Sequence, residues 1–303
     1  MAGYLTGKSV AVTGAGGGIG RAVALACAAE GANVVVADYG VSLDGRDDPS
    51  SDVADAVVKE IADLGGTAVA VAGDVSTMEG GAAVVQASLD NWGRIDGVVC
   101  VAGILRERML FNMAEDEWDP VVATHLKGHF TVFKAAAAVM RKQEGGGSLV
   151  GFTSGAFQGS VSQANYAAAK GGVVSFVRSA AAGLHRYGVT ANAVAPVART
   201  RMSANVPQEL AEMGDPEDVA PLVVYLLSDK ARHVTGQVYT AVGSKIAVWN
   251  QPVEVRAMYT DGRWTPDEIE ARLDGTVGQE RMRLIDQLEA LRQAAASGDK
   301  PNA

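Results

Sequence analysis

Cysteine is scarce: Cys27 and Cys100 are the only two in 303 residues, and each sits inside an apolar run. That supports neither a disulfide framework nor a zinc site, and it suits a reduced interior. Basic residues are also few, 26 Lys and Arg against 35 Asp and Glu, for a net charge of −9. With no basic stripe, the composition argues against nucleic acid as a partner. No apolar stretch approaches roughly 18 residues, so no membrane partner or span is predicted. The chain opens Met1-Ala2-Gly3-Tyr4-Leu5-Thr6-Gly7-Lys8 and runs straight into a strand-like segment, which predicts no signal peptide. It closes Pro301-Asn302-Ala303, not the peroxisomal Ser-Lys-Leu, so the expected location is cytoplasmic. Glycine is plentiful, 36 residues, but it falls mostly before Gly188 in short clusters without a period. Collagen-like and low-complexity readings are thereby excluded. What remains is a globular chain, 48% hydrophobic and 20% charged, long enough to bury a full core.

Short β-branched runs recur at Ser9 to Thr13, Asn33 to Ala37, Ala68 to Ala72, Gly97 to Val101, Ser148 to Phe152, Val189 to Val194 and Gln237 to Val242. Between them lie Ala-rich stretches of helical spacing. Val53, Val57, Ile61 and Leu64 mark one apolar face, with Asp55, Lys59, Glu60 and Asp63 opposite. The strands are near-continuous apolar runs, as expected where helices cover both faces of a sheet. The alternation predicts an α/β fold: a single Rossmann-type, doubly wound parallel sheet, with residues 1–250 as its domain. Gly40 to Ser51 reads as a long surface loop. Residues 251–303 read as a helical extension. Thr265 would cap a helix with Pro266 at its first position and Glu268 completing a capping box, and Leu284, Leu288 and Leu291 would line a second helix. Trp249, Met258, Tyr259 and Trp264 are its expected apolar anchors.

Thr13-Gly14-Ala15-Gly16-Gly17-Gly18-Ile19-Gly20 follows the first strand and opens a helix. Gly14 permits a tight turn, Gly18 lets backbone approach a pyrophosphate, and Gly20 lets helix pack on strand. The helix N-terminus offers N–H groups to the phosphates. Asp38 ends the second strand about twenty residues later, where a carboxylate accepts ribose hydroxyls and repels a 2′-phosphate. No Arg or Lys lies within the loop or directly after Asp38, so the expected cofactor is NAD. Asp74 and Val75 could border the adenine or form an ordinary turn.

Ser154, Tyr166 and Lys170 form a second cluster. Tyr166 and Lys170 are an i, i+4 pair, so phenol and ammonium point the same way on a helix. A cation there is expected to depress the tyrosine pKa and make it a general acid/base at neutral pH. Ser154 would steady the substrate oxygen.

With Asn192 before Pro196, these motifs resemble the short-chain dehydrogenase/reductase family over about Leu5 to Val242. Ala102-Gly103-Ile104-Leu105-Arg106-Glu107-Arg108, His125-Leu126-Lys127-Gly128 and Gln163-Ala164-Asn165-Tyr166 are similar, more narrowly, to the (3R)-hydroxyacyl-CoA dehydrogenase unit of multifunctional β-oxidation enzymes. The resemblance implies interconversion of a secondary alcohol and a ketone, with 3-hydroxyacyl-CoA as first choice of substrate. A free steroid, terpenoid or other apolar alcohol is the alternative, and an NAD-binding scaffold the alternative of another class. It implies catalytic roles for Ser154, Tyr166 and Lys170, with Lys170 also on the nicotinamide ribose. Ala102 and Gly103 would hold the cofactor ribose, Pro196 would also contact the cofactor, Thr200 would stand near the nicotinamide carboxamide end, and Val197 to Gly214 would form a substrate-side flap. Arg106, Arg108, Arg199 and Arg201 could meet CoA phosphates or be solvated. Pairing through helices at about Asn165 to Leu184 and Glu115 to Arg141 would give a homodimer or homotetramer. Two positions depart from the family pattern. Cys100-Val101 replaces a customary Asn-Asn, and His125 stands where many members carry a catalytic asparagine, either holding a water through a ring nitrogen or packing within its helix.

Overall fold

The structure, a computed structural model, describes residues 3–203, 213–278 and 281–297. The chain divides into two compact units, Met1–Trp249 and Asn250–Ala303.

The first unit alternates β1 (Ser9–Thr13), α1 (Gly18–Ala29), β2 (Asn33–Ala37), α2 (Asp52–Asp63), β3 (Thr67–Val71), α3 (Met78–Trp92) and β4 (Gly97–Cys100). It continues with α4 (Glu115–Val122), a π-turn (Ala123–Lys127), α5 (Gly128–Met140), β5 (Gly147–Phe152), α6 (Ala164–Leu184), β6 (Val189–Pro196), α7 (Pro216–Leu227), β7 (Val238–Val242) and β8 (Lys245–Val248). The strand order is β3-β2-β1-β4-β5-β6-β7-β8. The chain winds outward from β1 to β3, then returns to place β4 on the other side of β1. That reversal opens a crevice at the carboxyl ends of β1 and β4, the place where doubly wound sheets bind ligands.

The apolar runs form strands because each is buried on both sides. In β1, Val10 and Val12 enter one core while Ala11 enters the other; in β2, Val34 and Val36 oppose Val35 and Ala37. The first core is completed by α1, α2 and α7 through residues such as Val23, Ile61 and Val223. The second is completed by α3, α5 and α6 through Val84, Phe133 and Val177. Each fully buried side chain of this kind contributes about 1.5–3 kcal/mol. Cys27 and Cys100 fall in opposite cores and are both free thiols.

The sequence reading missed one strand. β8 pairs antiparallel with β7, Val242 facing Lys245 across a two-residue turn in which Gly243 has φ +50. Its four residues are too few to register as a periodic segment. Trp249 also departs from expectation: it belongs to the sheet unit, where its N–H donates to Val238 O and its Nε1 to Thr240 Oγ1. Among the described residues no helix is long and apolar enough to cross a membrane.

The second unit contains α8 (Pro266–Thr276) and α9 (Arg283–Ser297). α8 starts as its capping box predicts, with Thr265 N donating to Glu268 Oε2 at 2.9 Å and Glu268 N donating to Thr265 Oγ1 at 3.3 Å. Leu284 and Leu288 are half-buried, whereas Leu291 is exposed.

Candidate active site

The glycine loop leaves β1 at Gly14, whose φ of +67 is left-handed and whose missing Cβ would stand 2.7 Å from Ala102 N. A side chain there is excluded by backbone conformation and by space alike. At Gly20 a Cβ would stand 2.0 Å from Gly14 O, so α1 packs directly on the turn that feeds it. The N-terminus of α1 carries no side-chain cap and no acidic residue in its first turn. Its N–H groups and positive dipole end are thus available to an anion.

Asp38 is held from two sides: Gly16 N donates to its Oδ2 and Gly40 N to its Oδ1, both at 2.8 Å. The basic residues of α1 and of the loop after Asp38 are engaged elsewhere. Arg21 pairs with Glu60, and Arg46 with Asp44 and Asp116. Asp74 makes an ordinary turn, its Oδ1 accepting from Ser76 N, yet it and Val75 line the same cleft. That cleft, about 350 Å³, is also lined by Gly14, Gly18, Ile19, Ala102, Gly103, His125, Tyr166, Lys170, Pro196 and Thr200. Thr13, expected among the cofactor contacts, is buried beneath it. Its hydroxyl accepts from Val101 N at 3.2 Å and Ala102 N at 3.3 Å. These bonds hold the backbone at Val101 and Ala102, where the side chains supply no amide.

Ser154 follows β5 and Tyr166 stands in the first turn of α6, the serine hydroxyl near enough to the phenol to draw its pKa down. The Ser154 Oγ also accepts from Ala156 N at 3.2 Å. One turn on, the Lys170 Nζ donates to Phe152 O at 2.7 Å and lies 5.4 Å from the centroid of the Tyr166 ring. His125 meets that ring edge-on, centroids 5.0 Å apart. Its Nε2 bonds to the Ile104 carbonyl at 2.8 Å, so Nε2 carries the proton and Nδ1 is a lone pair. That buried Nδ1 has no partner among the described protein atoms. The imidazole therefore packs within the fold and still presents an acceptor.

His129 escaped the sequence reading. Its Nδ1 donates to His125 O at 2.5 Å and its Nε2 accepts from Phe152 N at 3.0 Å, tying the π-turn to the strand whose carbonyl holds Lys170. Only its i+4 spacing from His125 pointed to it. The four arginines divide. Arg108 binds Glu117, Arg199 binds Asp215, and Arg106 donates through Nε to Asp44 O at 2.8 Å and through its terminus to Asp116 O. Arg106 and Arg201 line the cleft. Of the expected flap, residues 204–212 lie outside the described residues, while Gly214 N donates to Val197 O.

Burial sets the protonation states. It pushes Tyr166 above its usual range, with the Ser154 hydroxyl pulling the other way, and brings Lys170 down to about 7. The expected depression of the tyrosine by the lysine charge is therefore not found. In the dry interior both charged forms lose hydration, and the lysine is half-neutral where it would be needed. Burial, then the Lys170 charge, keeps His125 well below its ordinary value and takes His129 to about 3. Both rings are neutral at physiological pH.

This has a consequence for stability. Between pH 7 and about 10.4 the unfolded chain binds the Lys170 proton that the folded chain has released. Wild-type stability relative to Lys170→Met should thus rise with pH across that window, by on the order of 1 kcal/mol per unit. Below pH 7 both states are protonated and the full burial penalty remains. Urea unfolding of both proteins at about pH 6, 8 and 9.5 reads the difference, and a flat result would contradict it.

A family profile described as enoyl-(acyl carrier protein) reductase matches residues 14–243. The chain is 43% identical over 306 residues to hydroxyacyl-CoA dehydrogenase ChsB1 of Mycobacterium tuberculosis, covering 95% of each. It is 42% identical over 231 residues to the mouse peroxisomal multifunctional enzyme type 2, covering 76% of this chain and 31% of that one. A crystal structure of a short chain dehydrogenase from Mycobacterium avium superposes with a TM-score of 0.82 at 45% identity, over 92% of this chain and 97% of that chain.

Proposed function

The chain belongs to the short-chain dehydrogenase/reductase family, oxidoreductases that act on CH–OH groups with a nicotinamide cofactor, and we propose that it is an NAD(H)-dependent 3-hydroxyacyl-CoA dehydrogenase. The observation that carries the reading is the Ser154–Tyr166 hydroxyl pair beside Lys170 and the glycine cradle. The acyl-CoA half rests on the names of two relatives, a hydroxyacyl-CoA dehydrogenase and a peroxisomal multifunctional enzyme.

The residues present fit a dinucleotide. The Gly14–Gly20 turn and the uncapped start of α1 would hold the pyrophosphate, and Asp38 the adenosine ribose. Asp74 and Val75 would flank the adenine; Ala102, Gly103 and Lys170 would face the nicotinamide ribose, and Pro196 and Thr200 the carboxamide end. A nicotinamide bound there would supply the hydride chemistry, as acceptor in oxidation and donor in reduction. Ser154 positions the substrate oxygen by hydrogen bond. Tyr166 takes the hydroxyl proton in oxidation and returns it to the ketone oxygen in reduction. A phenol held neutral by burial is ready to donate, so reduction needs no prior ionisation, whereas oxidation accelerates as pH rises. When protonated, Lys170 places its ammonium 5.4 Å from the centroid of the Tyr166 ring, and the unpartnered Nδ1 of His125 offers an acceptor at the rear of the site. Ala168 and Ser175 are exposed on α6, whereas Ala169 is buried and Gly172 abuts Leu126; a homo-oligomer would pair through the first two.

The test is an oxidation panel with 3-hydroxyacyl-CoA thioesters and free cyclic alcohols, each with NAD and with NADP. The expected outcome is turnover of the thioesters, with NAD favoured about 10- to 100-fold in kcat/KM, since a 2′-phosphate would meet a fixed carboxylate while Arg21 and Arg46 are paired with other carboxylates. Asp38→Ala should narrow the gap. Turnover of free alcohols alone would overturn the substrate, and equal use of both cofactors the NAD assignment.

A further inference from the structure

We propose that Asn165 is a positioning residue for Tyr166, its carboxamide fixing where the phenol stands. The inference rests on Tyr166 being the acid/base of the reaction proposed above. Tyr166 lies in the first turn of α6, the part of a helix most prone to fray, and the N-cap Gln163 makes no side-chain cap. Asn165 supplies what the cap does not. Its Oδ1 accepts from Tyr166 N at 2.7 Å, while its Nδ2 donates to Arg106 O at 2.9 Å and to Glu117 O at 2.7 Å. The side chain is fully buried, with three of its four hydrogen-bonding positions filled. One amide thus joins the tyrosine's backbone to the segment after β4 and to α4.

The chain just before it is built to the same end. Ser162 has φ +61, the only positive φ at a non-glycine among the described residues, and its carbonyl accepts from Arg108 N at 2.7 Å. Gln163 Nε2 donates to Glu107 Oε1, and the Arg108 guanidinium donates to Glu117 Oε1 at 2.8 and 2.9 Å. A strained residue persists only where its surroundings over-determine it, and here they converge on the start of α6. Propensity would favour alanine over asparagine in this turn, so helix formation alone does not call for this residue. Because a 1 Å misplacement of a reacting group can cost about 100-fold in rate, such a clamp acts on kcat more than on binding.

The experiment compares the full-length wild type with Asn165→Ala, Asn165→Asp and Tyr166→Phe, reducing acetoacetyl-CoA with NADH. NADH affinity is read separately by fluorescence titration. Asn165→Ala should lose about 10- to 100-fold in kcat, with KM and NADH affinity within about threefold. In Asn165→Asp a carboxylate faces two carbonyl oxygens and is repelled, so its pKa rises; once protonated it can donate to one of them. Its kcat as a fraction of wild type should therefore recover several-fold between about pH 8.5 and pH 6. A structural lesion alone would not produce that pH-dependent rescue, and the aspartate variant decides the matter if the alanine variant fails to fold. A kcat within about twofold of wild type in either variant, or a pH-independent loss in Asn165→Asp, overturns the inference. An active Tyr166→Phe overturns the tyrosine's role as well, whereas an inactive Tyr166→Phe beside unaffected Asn165 variants overturns this inference alone.

Discussion

Tyr166→Phe is expected to lower kcat by about 10³-fold or more while leaving NADH affinity within about twofold. Positioned proton transfer is worth about 10²–10⁴ in rate, and the phenol is the group in the cleft that can both give and take the proton at the substrate oxygen. The substitution keeps the ring, and with it the edge-on packing against His125 at 5.0 Å. Only the phenol hydroxyl, the group whose pKa Ser154 lowers, is lost. The effect should therefore appear in kcat and kcat/KM equally, as for an interaction made in the transition state. Steady-state kinetics and a titration of NADH fluorescence measure the two halves. Retention of more than a few per cent of activity would mean that another residue moves the proton.

The second large effect is expected at Gly103, where a Cβ would lie 2.1 Å from His125 Cε1 and 2.8 Å from its Nδ1. The ring is confined, because Nε2 is held by Ile104 O and Tyr166 packs against it at 5.0 Å between centroids. Overpacking of this kind costs about 1–3 kcal/mol. Gly103→Ala should lower Tm by several degrees and depress both cofactor affinity and turnover by about 100-fold, since the displaced backbone and ring both line the cleft. The cause is testable by a cycle. In Gly103→Ala/His125→Ala the clash is gone, so the double variant should be more stable than the sum of the single losses allows. Additive losses would show that His125 is not what confines this glycine.

Much of this protein was legible without coordinates, for identifiable reasons. A strand buried on both sides has to be a near-continuous apolar run, and Val34, Val35 and Val36 declare one in any context. A dinucleotide cradle requires glycines at fixed spacing because side chains at Gly14 and Gly20 would collide with backbone, so that requirement is written locally. Tyr166 and Lys170 announce themselves because helical periodicity alone puts i and i+4 on one face. Capping chemistry, being local too, placed the start of α8 at Thr265.

What escaped depends on contacts between residues far apart in sequence. Asn165 gains its significance from carbonyls 59 and 48 positions away, and Thr13 from amides 88 and 89 positions away. No short-range pattern encodes either. His129 looked like a helix residue until the fold brought Phe152 N to its ring. The protonation states of Tyr166 and Lys170 came out opposite to the simplest reading of their spacing, because adjacency along a helix specifies which charge is near but not how much water remains. The sequence by itself thus determined the parallel part of the sheet, the glycine turn and the Tyr166–Lys170 pair on which the proposed mechanism rests, all matters of local periodicity and steric necessity. Only the tertiary structure decided how dry the site is, which backbone groups clamp the tyrosine, and which arginines are left facing the cleft, because burial and long-range hydrogen bonding are properties of the packed chain.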